Sequence, residues 1–380
     1  MVTMKTGICG NIALDALASE LDKAMPGGEV VVGRTGAYRE ELTEPPAGFR
    51  DLDACIVALD WRSLAPDLYA YGRGDCVDTT LSRMRTACSE LALCITRYRA
   101  ACKAPVMIFS PISELRGPDG FIARLLTPSR IDVFADCQKI FDELCRSLVD
   151  VYPVDVELLS GQIGKDNALD PHRRLHTGDP FTTAMTQSIA RHLASMCVQL
   201  RRPPLKCLVL DLDGTLWGGV VGEDGVDNLV LRDTGEGLAF KEFQAEIVKL
   251  HKQGVLLAIC SKNNTCDALE VLELHPHMLI RPSMISCFRI NWDEKPRNLI
   301  GISSELNIGL DAMMFVDNSP TEREMVRATL PEVEVFDLPA DPALYAEAMR
   351  KCSRFWPLQI TGDDARRTRL YAEERLRKEG

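Results

Sequence analysis

One stretch near the middle of the chain constrains the fold more than any other. Residues 207–214 read CLVLDLDG, an apolar run that ends in Asp211 and Asp213 before a glycine turn. A short, continuously apolar run bounded by a turn is typical of a strand buried on both faces of a parallel sheet. Ligands bind at the carboxyl ends of such strands in open α/β sheets. The stretch therefore predicts an α/β domain with a binding site at these two aspartates.

The spacing of the two aspartates predicts a cation. Alternate residues of an extended chain share a face, so the carboxylates of Asp211 and Asp213 point the same way. Carboxylates this close repel each other unless a cation or a shared proton lies between them. Mg²⁺, a hard divalent ion that prefers oxygen ligands, is the simplest solution.

The chain shows two blocks in which apolar runs alternate with helical patterns. The first covers residues 1–200, with helical spacing at residues 77–101 and 131–149, and the second covers residues 205–340. The segment RRPP at residues 201–204 separates them, because Pro-Pro resists both helix and central strand. We expect two α/β domains, each a mainly parallel sheet with helices on both faces. Residues 341–380 are expected to form a charged helical tail that packs weakly or binds a partner.

Composition bounds the class of protein. The chain has 380 residues, 46% of them hydrophobic and 26% charged, which is ordinary for a globular protein. No apolar window is long enough to span a bilayer and the start lacks the regions of a signal peptide, so we expect a cytoplasmic protein without membrane contact. The 14 scattered cysteines, without a CxxC pair, favour reduced core residues. A net charge of -11 argues against nucleic-acid binding.

Polar residues follow each predicted strand of the second block. They are Asp211, Asp213 and Thr215 after the first strand, Ser261, Lys262 and Asn263 after the second, Lys295 after the third, and Asp317 and Asn318 after the fourth. Parallel strands place all of these residues at one edge of the sheet. The sequence thus predicts that carboxylates, a hydroxyl and cations converge there.

This set of side chains suits phosphoryl transfer. Asp211 would attack phosphorus, and Asp213 would protonate the leaving oxygen and then activate water. Ser261 and Lys295 would neutralise the phosphate oxygens. The candidate Mg²⁺ ligands are Asp211, Asp213 and Asp317. The candidate substrate-binding residues are Thr215, Lys262, Asn263 and Asn318.

The order of the motifs, DxDGT, then Ser, then Lys, then an acidic strand end, resembles the haloacid dehalogenase-like superfamily. That resemblance implies a Rossmann-like domain. Only one helix and one strand fit between Ser261 and Lys295, and only a flap around residues 217–231 fits between Asp213 and the next helix. We therefore expect a capless, open site that accepts a bulky or protein-borne substrate, or that the first domain covers.

The segments LDLDGTLWGGVVGEDG, GVLLAICSKNN and FVDNSPTEREMV resemble the FkbH-like branch, as does the two-domain layout with an N-terminal domain similar to SGNH hydrolases. The resemblance covers most of the chain. It implies transfer of a glyceryl unit from 1,3-bisphosphoglycerate, with loss of phosphate, to the phosphopantetheine arm of an acyl carrier protein in polyketide biosynthesis. Two alternatives stay open: a plain Mg²⁺-dependent phosphatase on a small phosphate ester, and a non-catalytic scaffold that docks carrier proteins.

Two departures from these families matter. Asn318 stands where related proteins often have a second aspartate. The first domain lacks the SGNH catalytic signature, with Gly10 and Asn11 where a Gly-Asp-Ser turn would be, so we expect it to be non-catalytic. Residues 170–183 are predicted to form a polar loop, with Arg173, Arg174 and His176 as candidates to bind an acidic carrier protein or a substrate phosphate.

Cys260 allows two interpretations. It precedes Ser261, where Lys262, Lys295 and Mg²⁺ would lower the pKa of its thiol, so it is a candidate to carry glyceryl as a transient thioester. Strand alternation places Cys260 and Ser261 on opposite faces, which instead favours an inward-facing core residue. Direct attack by the carrier thiol requires no enzyme thiol.

Overall fold

The computed structural model describes residues 4–72, 75–113, 120–202 and 205–358. The chain divides into two compact units, Met1–Arg201 and Arg202–Gly380. Each unit contains one five-stranded sheet in which every strand pairing is parallel. Parallel neighbours need crossover connections, which helices supply on the faces of the sheet. The predicted α/β class is confirmed.

The first unit has the strand order β2-β1-β3-β4-β5. Its strands are β1 Lys5–Gly10, β2 Glu29–Val32, β3 Ala54–Ala58, β4 Val106–Phe109 and β5 Val151–Val154. Its helices are α1 Asp15–Ala24, α2 Tyr38–Thr43, α3 Ala47–Arg50, α4 Pro66–Ala70, α5 Val77–Ala101, α6 Arg130–Ser147, α7 Val156–Ile163, α8 Lys165–Ala168, α9 Pro171–Thr177 and α10 Thr183–Arg201. Helices α5 and α6 cover one face of the sheet, where Cys9, Val57 and Ile108 join their apolar cluster.

The second unit has the strand order β10-β9-β6-β7-β8. Its strands are β6 Cys207–Leu210, β7 Leu256–Ser261, β8 Ile285–Ile290, β9 Met313–Val316 and β10 Glu334–Val335. Its helices are α11 Val221–Asp224, α12 Gly235–Lys252, α13 Thr265–Leu274, α14 Lys295–Leu306, α15 Pro320–Thr329 and α16 Tyr345–Arg350. The chain runs outward from β6 through β7 and β8, and then returns to the other side of β6 as β9. The reversal of strand order therefore lies between β6 and β9, where open α/β sheets form their binding crevice.

Strand alternation builds two apolar layers in the second unit. Leu208 and Ile259 belong to the layer that packs against α12, α13 and α16. Val209 and Cys260 belong to the opposite layer, which packs against α14 and α15. Because helices cover both faces, neighbouring strand residues are apolar on both sides. This explains the uninterrupted apolar run that precedes Asp211.

Two predictions of local structure are wrong. Part of the expected loop at residues 170–183 is the helix α9: Asp170 caps it by accepting from the backbone N–H groups of His172 and Arg173, and Gly178 ends it with a φ of 77°. The start of the expected weakly packed tail is well packed, since Tyr345 meets Phe240 edge-on at 5.9 Å between ring centroids. The remainder of that tail, residues 359–380, lies outside the described residues. Within the described ranges, no helix combines the length and apolar character needed to cross a bilayer.

Candidate active site

Three charged side chains meet at the reversal between β6 and β9. Asp211 follows β6, Asp317 follows β9, and Lys295 begins α14; they are 7%, 1% and 2% exposed. Lys295 Nζ lies 2.5 Å from Asp211 Oδ1 and 2.9 Å from Asp317 Oδ2. The same ammonium donates to the backbone carbonyl of Cys260 at 2.8 Å. The first, third and fourth motifs of the sequence thus converge.

The electrostatics of this cluster leave negative charge in excess. Burial and the neighbouring carboxylate of Asp317 raise the pKa of Asp211, whereas Lys295 and the Ser261 hydroxyl lower it, and the balance raises it to about 6. Burial lowers the pKa of Lys295, but the two carboxylates more than offset burial, so its pKa is raised overall. The two carboxyl groups of Asp211 and Asp317 thus share the single ammonium of Lys295.

The cluster fits a divalent cation with oxygen ligands. Asp317 Oδ1 accepts from the backbone N–H of Ser319 at 2.8 Å. Its Oδ2 is buried and, apart from the ionic contact with Lys295, accepts no hydrogen bond from any residue in the described ranges. A buried carboxylate oxygen of this kind, beside Asp211 and excess negative charge, suits a hard ion such as Mg²⁺.

Asp213 is held apart from this pair. Its Oδ1 accepts from Trp217 Nε1 at 2.7 Å and from the backbone N–H of Val221 at 3.2 Å, and its Oδ2 accepts from Asn263 Nδ2 at 2.9 Å. Among the residues that the structure describes, no three carboxylate, histidine or cysteine side chains form a metal-binding group. The Asp213 carboxylate instead accepts hydrogen bonds from the flap and from Asn263, so the predicted ligand set of Asp211, Asp213 and Asp317 stays a prediction.

The DGT turn is shaped around Asn318. Gly214 has a φ of 69°, and a side chain there would place its Cβ 2.2 Å from Asn318 Nδ2. The backbone N–H of Asn318 donates to the buried Thr215 hydroxyl at 3.1 Å. Ser261 and Asn263 are buried beside this turn, and Asn263 Nδ2 also donates to Ser261 Oγ at 3.3 Å. The candidate residues of the second unit thus meet around one edge.

Cys260 is a core residue of β7. It is fully buried in the layer packed against α14, and burial raises the pKa of its thiol to about 12. Lys295 lowers this pKa, as expected of a nearby cation, but desolvation by burial outweighs its effect. The structure favours the interpretation of Cys260 as an inward-facing strand residue.

The candidates of the first unit lie on α9. Arg173 donates to Asp179, and Arg174 Nε lies 3.5 Å from Asp60 Oδ2. His176 is exposed. Two of these three side chains therefore have carboxylate partners within their own unit.

Sequence reasoning missed two residues that support the site, Arg323 and Glu322. Arg323 donates to the backbone carbonyls of Asp317 at 2.7 Å and Asn318 at 3.2 Å. Lys262 Nζ donates to Glu322 Oε1 at 2.7 Å. The available signal was Ser319 followed three residues later by Glu322, which is typical of a helix start directly after Asp317.

Comparison with known proteins supports the fold. No family model matches the chain, and no curated protein matches it. The chain is similar to the N-terminal part of the protein BF1531 from Bacteroides fragilis, which contains a phosphatase domain and was crystallised in complex with Mg. The identity is 24%, the TM-score is 0.77, and the match covers 94% of this chain and 95% of that one. The two chains therefore share a fold over most of their length.

Weaker similarities concern about half of the chain. The lipase Lip_vut3 from a goat rumen metagenome matches with 10% identity and a TM-score of 0.36, covering 50% of this chain and 96% of that one. The acetylxylan esterase Axe2 from Geobacillus stearothermophilus matches with 13% identity and a TM-score of 0.35, covering 52% and 95%. Similarities this weak carry no conclusion.

Proposed function

We propose that the second unit is a magnesium-dependent centre that removes phosphoryl groups through a covalent bond to Asp211. The observation that carries this proposal is the buried cluster in which Lys295 contacts both Asp211 and Asp317. Buried like charges with incomplete compensation cost stability and are typical of functional sites. The similar fold of a Bacteroides fragilis protein with a phosphatase domain complexed with Mg supports the same chemistry.

The reaction needs a nucleophile and a proton donor close together, and Asp211 and Asp213 both follow β6, one residue apart. A carboxylate oxygen of Asp211 attacks phosphorus, the bond from phosphorus to the leaving oxygen breaks, and Asp213 gives that oxygen a proton. Asp213 then accepts a proton from water, whose oxygen attacks the same phosphorus, and the bond to Asp211 breaks. The hydrogen bonds from Trp217 and Asn263 hold the Asp213 carboxylate in position between these steps.

The surrounding groups lower the charge on the transferred phosphoryl group. Lys295 and the Ser261 hydroxyl stabilise its oxygens, and both are fixed in place by burial. Asp211 and Asp317 would hold Mg²⁺. When bound, the ion supplies the positive charge that lets an anionic phosphate approach an anionic nucleophile.

We further propose the finer function that the FkbH-like resemblance implies, glyceryl loading of an acyl carrier protein. The thiolate of the phosphopantetheine arm attacks the acyl carbon of 1,3-bisphosphoglycerate, the carbon–oxygen bond to the acyl phosphate breaks, and inorganic phosphate leaves. The ester phosphate is removed at Asp211. The burial of Cys260 supports direct transfer to the carrier, without an enzyme thioester.

In this proposal the first unit binds the carrier protein rather than catalysing a step. The exposed His176 and the adjacent Arg173 on α9 are candidate contacts for an acidic carrier surface. Their replacement by alanine is expected to weaken loading while leaving phosphate release from a small ester unchanged.

Intact-mass spectrometry of a phosphopantetheinylated carrier protein tests the finer function. The carrier is incubated with this protein, Mg²⁺ and enzymatically generated 1,3-bisphosphoglycerate. A carrier that bears unphosphorylated glyceryl supports loading. The same product with the Cys260→Ala protein supports direct transfer to the carrier thiol. Phosphate release with several unmodified carriers would leave the plain phosphatase as the function. If neither free phosphate nor a loaded carrier is formed, both proposals are contradicted.

A further inference from the structure

Lys262 is the second cation at the site. It follows Ser261 at the end of β7, so it lies one residue from the hydroxyl that hydrogen-bonds to Asp211. Its Nζ contacts Glu322 Oε1 at 2.7 Å, and the two side chains are 35% and 17% exposed. Lys295, by contrast, is committed to the two buried carboxylates. Of these two lysines, Lys262 is therefore the more exposed one, and its ammonium can be reached by a ligand group that does not react.

Glu322 joins a second strand end to Lys262. It lies in the first turn of α15, where its backbone N–H donates to the Ser319 hydroxyl at 3.4 Å. Asp317 stands five residues earlier, at the end of β9. The ion pair between Lys262 and Glu322 thus spans two of the loops that form the site. The second carboxylate oxygen of Glu322, Oε2, is buried and accepts no hydrogen bond from any described residue.

The charge of Lys262 is balanced by Glu322 in the protein alone. A ligand group must displace part of that interaction to bind the ammonium, and only an anionic group recovers the lost Coulomb energy. A neutral hydroxyl group at the same place recovers little of this Coulomb energy. The pair therefore discriminates between substrates by the charge of the group that does not react.

We propose that Lys262 and Glu322 select phosphorylated substrates that carry a second anionic group, with Glu322 setting how strongly Lys262 attracts that group. This inference rests on the proposed function of the site, because the reacting phosphate is taken to lie at Asp211. It goes further by assigning to Lys262 and Glu322 the recognition of the second anionic group, the one that does not react.

The test compares two ligands that differ in one group. The probes are 3-phosphoglycerate, which carries a carboxylate, and glycerol 3-phosphate, which has a hydroxymethyl group instead. Their binding to the full-length Asp211→Asn protein with Mg²⁺ is measured by calorimetry, so that no turnover is needed. The same pair is used for kcat and KM with the protein that retains Asp211.

The variants separate specificity from structural support. Lys262→Met is expected to weaken 3-phosphoglycerate about tenfold and to change glycerol 3-phosphate less than about twofold. Glu322→Gln is expected to strengthen 3-phosphoglycerate about threefold or more, because the ammonium loses its internal partner. The double variant is expected to lose the discrimination altogether. Glu324→Gln, on an exposed acid of the same helix, is the matched control and is expected to change neither ligand.

The outcomes distinguish the inference from the proposed function. Equal effects of Lys262→Met on both ligands, in calorimetry or in the KM of the protein that retains Asp211, would overturn the specificity role. Preserved discrimination in binding, with no hydrolysis of either ester by the protein that retains Asp211, would contradict the phosphatase proposal but not the recognition of a second anion. Changes in kcat with unchanged KM would assign the pair to structural support instead.

Discussion

The two sheets reverse their strand order in the same way, but different residues stand at the two reversals. In the first unit the reversal lies between β1 and β3, where Asn11 Nδ2 donates to the Asp60 carbonyl at 2.9 Å and the Asp60 N–H donates to Asn11 Oδ1 at 2.7 Å. In the second unit it lies between β6 and β9, where Asp211 and Asp317 share Lys295. One crevice holds matched hydrogen bonds and the other holds unmatched charge.

The comparison teaches that topology supplies a crevice and side chains supply chemistry. A Cβ at Gly10 would lie 2.0 Å from the Ala58 carbonyl oxygen, so β1 and β3 approach each other closely at the first reversal. In the same unit, Ser113 Oγ donates to Glu157 at 2.7 Å and Lys165 contacts both, so these polar groups pair with one another. In the second unit, burial keeps charges that the protein does not fully neutralise, which leaves them available to a cation and a substrate.

The largest expected difference between the two crevices is in activity. Asp211→Asn is expected to reduce phosphate release at least about a thousandfold, because an amide is a poor nucleophile. Asp60→Asn, at the reversal of the first sheet, is expected to leave the rate within about twofold. Phosphate release from a small ester with Mg²⁺ measures both. Retained activity in Asp211→Asn would remove the nucleophile.

Removal of a lysine from the charged cluster of the second unit should cost more stability than removal of a lysine from the polar cluster of the first unit. Lys295→Met leaves Asp211 and Asp317 buried without a cation, which is expected to lower the free energy of unfolding by about 3–5 kcal/mol. Lys165→Met removes a more exposed partner of Glu157, so the expected loss is about 1 kcal/mol or less. Denaturant titrations without Mg²⁺ give both values, and equal losses would contradict the contrast.

Magnesium should stabilise the protein through the second crevice. At one hundred times its dissociation constant, Mg²⁺ is expected to add about 2.7 kcal/mol to the free energy of unfolding. Asp317→Asn should abolish this gain, and Asp60→Asn should retain it. Thermal unfolding with Mg²⁺ and with a chelator measures the effect. An undiminished gain in Asp317→Asn would place the ion elsewhere.

The smallest expected effect is a dependence of stability on pH. In the metal-free protein the folded-state pKa of Asp211 is raised to about 6, above its ordinary value. The folded state therefore binds a proton more strongly than the unfolded state, so stability falls as pH rises from about 4 to 6. Asp211→Asn should flatten this slope, which denaturant titrations at pH 4.5 and 6.5 with a chelator would show. A slope that Asp211→Asn leaves unchanged would assign it to other groups.

Much of this contrast could be predicted from the sequence. The apolar run before Asp211 fixed β6 because strands covered on both faces must be apolar throughout, and the helical spacing at residues 77–101 matches α5 at both ends. The convergence of Asp211, Lys295 and Asp317 followed from parallel strand ends. Each of these features depends on local pattern or on topology.

The remaining features depend on tertiary contacts. Asp213 accepts hydrogen bonds from Trp217 and Asn263. Trp217 is positioned by the fold of the flap and Asn263 by the end of β7, so neither contact could be predicted from local sequence. The raised pKa of Cys260 reflects the burial that α14 provides, which the nearby cations do not overcome. The helix α9 has no buried face, so apolar periodicity gave no signal, and only Asp170 and Gly178 marked its ends.

Detection of phosphate bound covalently to Asp211 tests the proposed chemistry most directly. The protein is mixed with a radiolabelled phosphate ester and Mg²⁺, quenched in acid during the first turnover, digested and analysed by mass spectrometry. We predict label on the peptide that contains Asp211, absent from the Asp211→Asn protein. Full phosphate release without any labelled peptide would contradict the covalent mechanism.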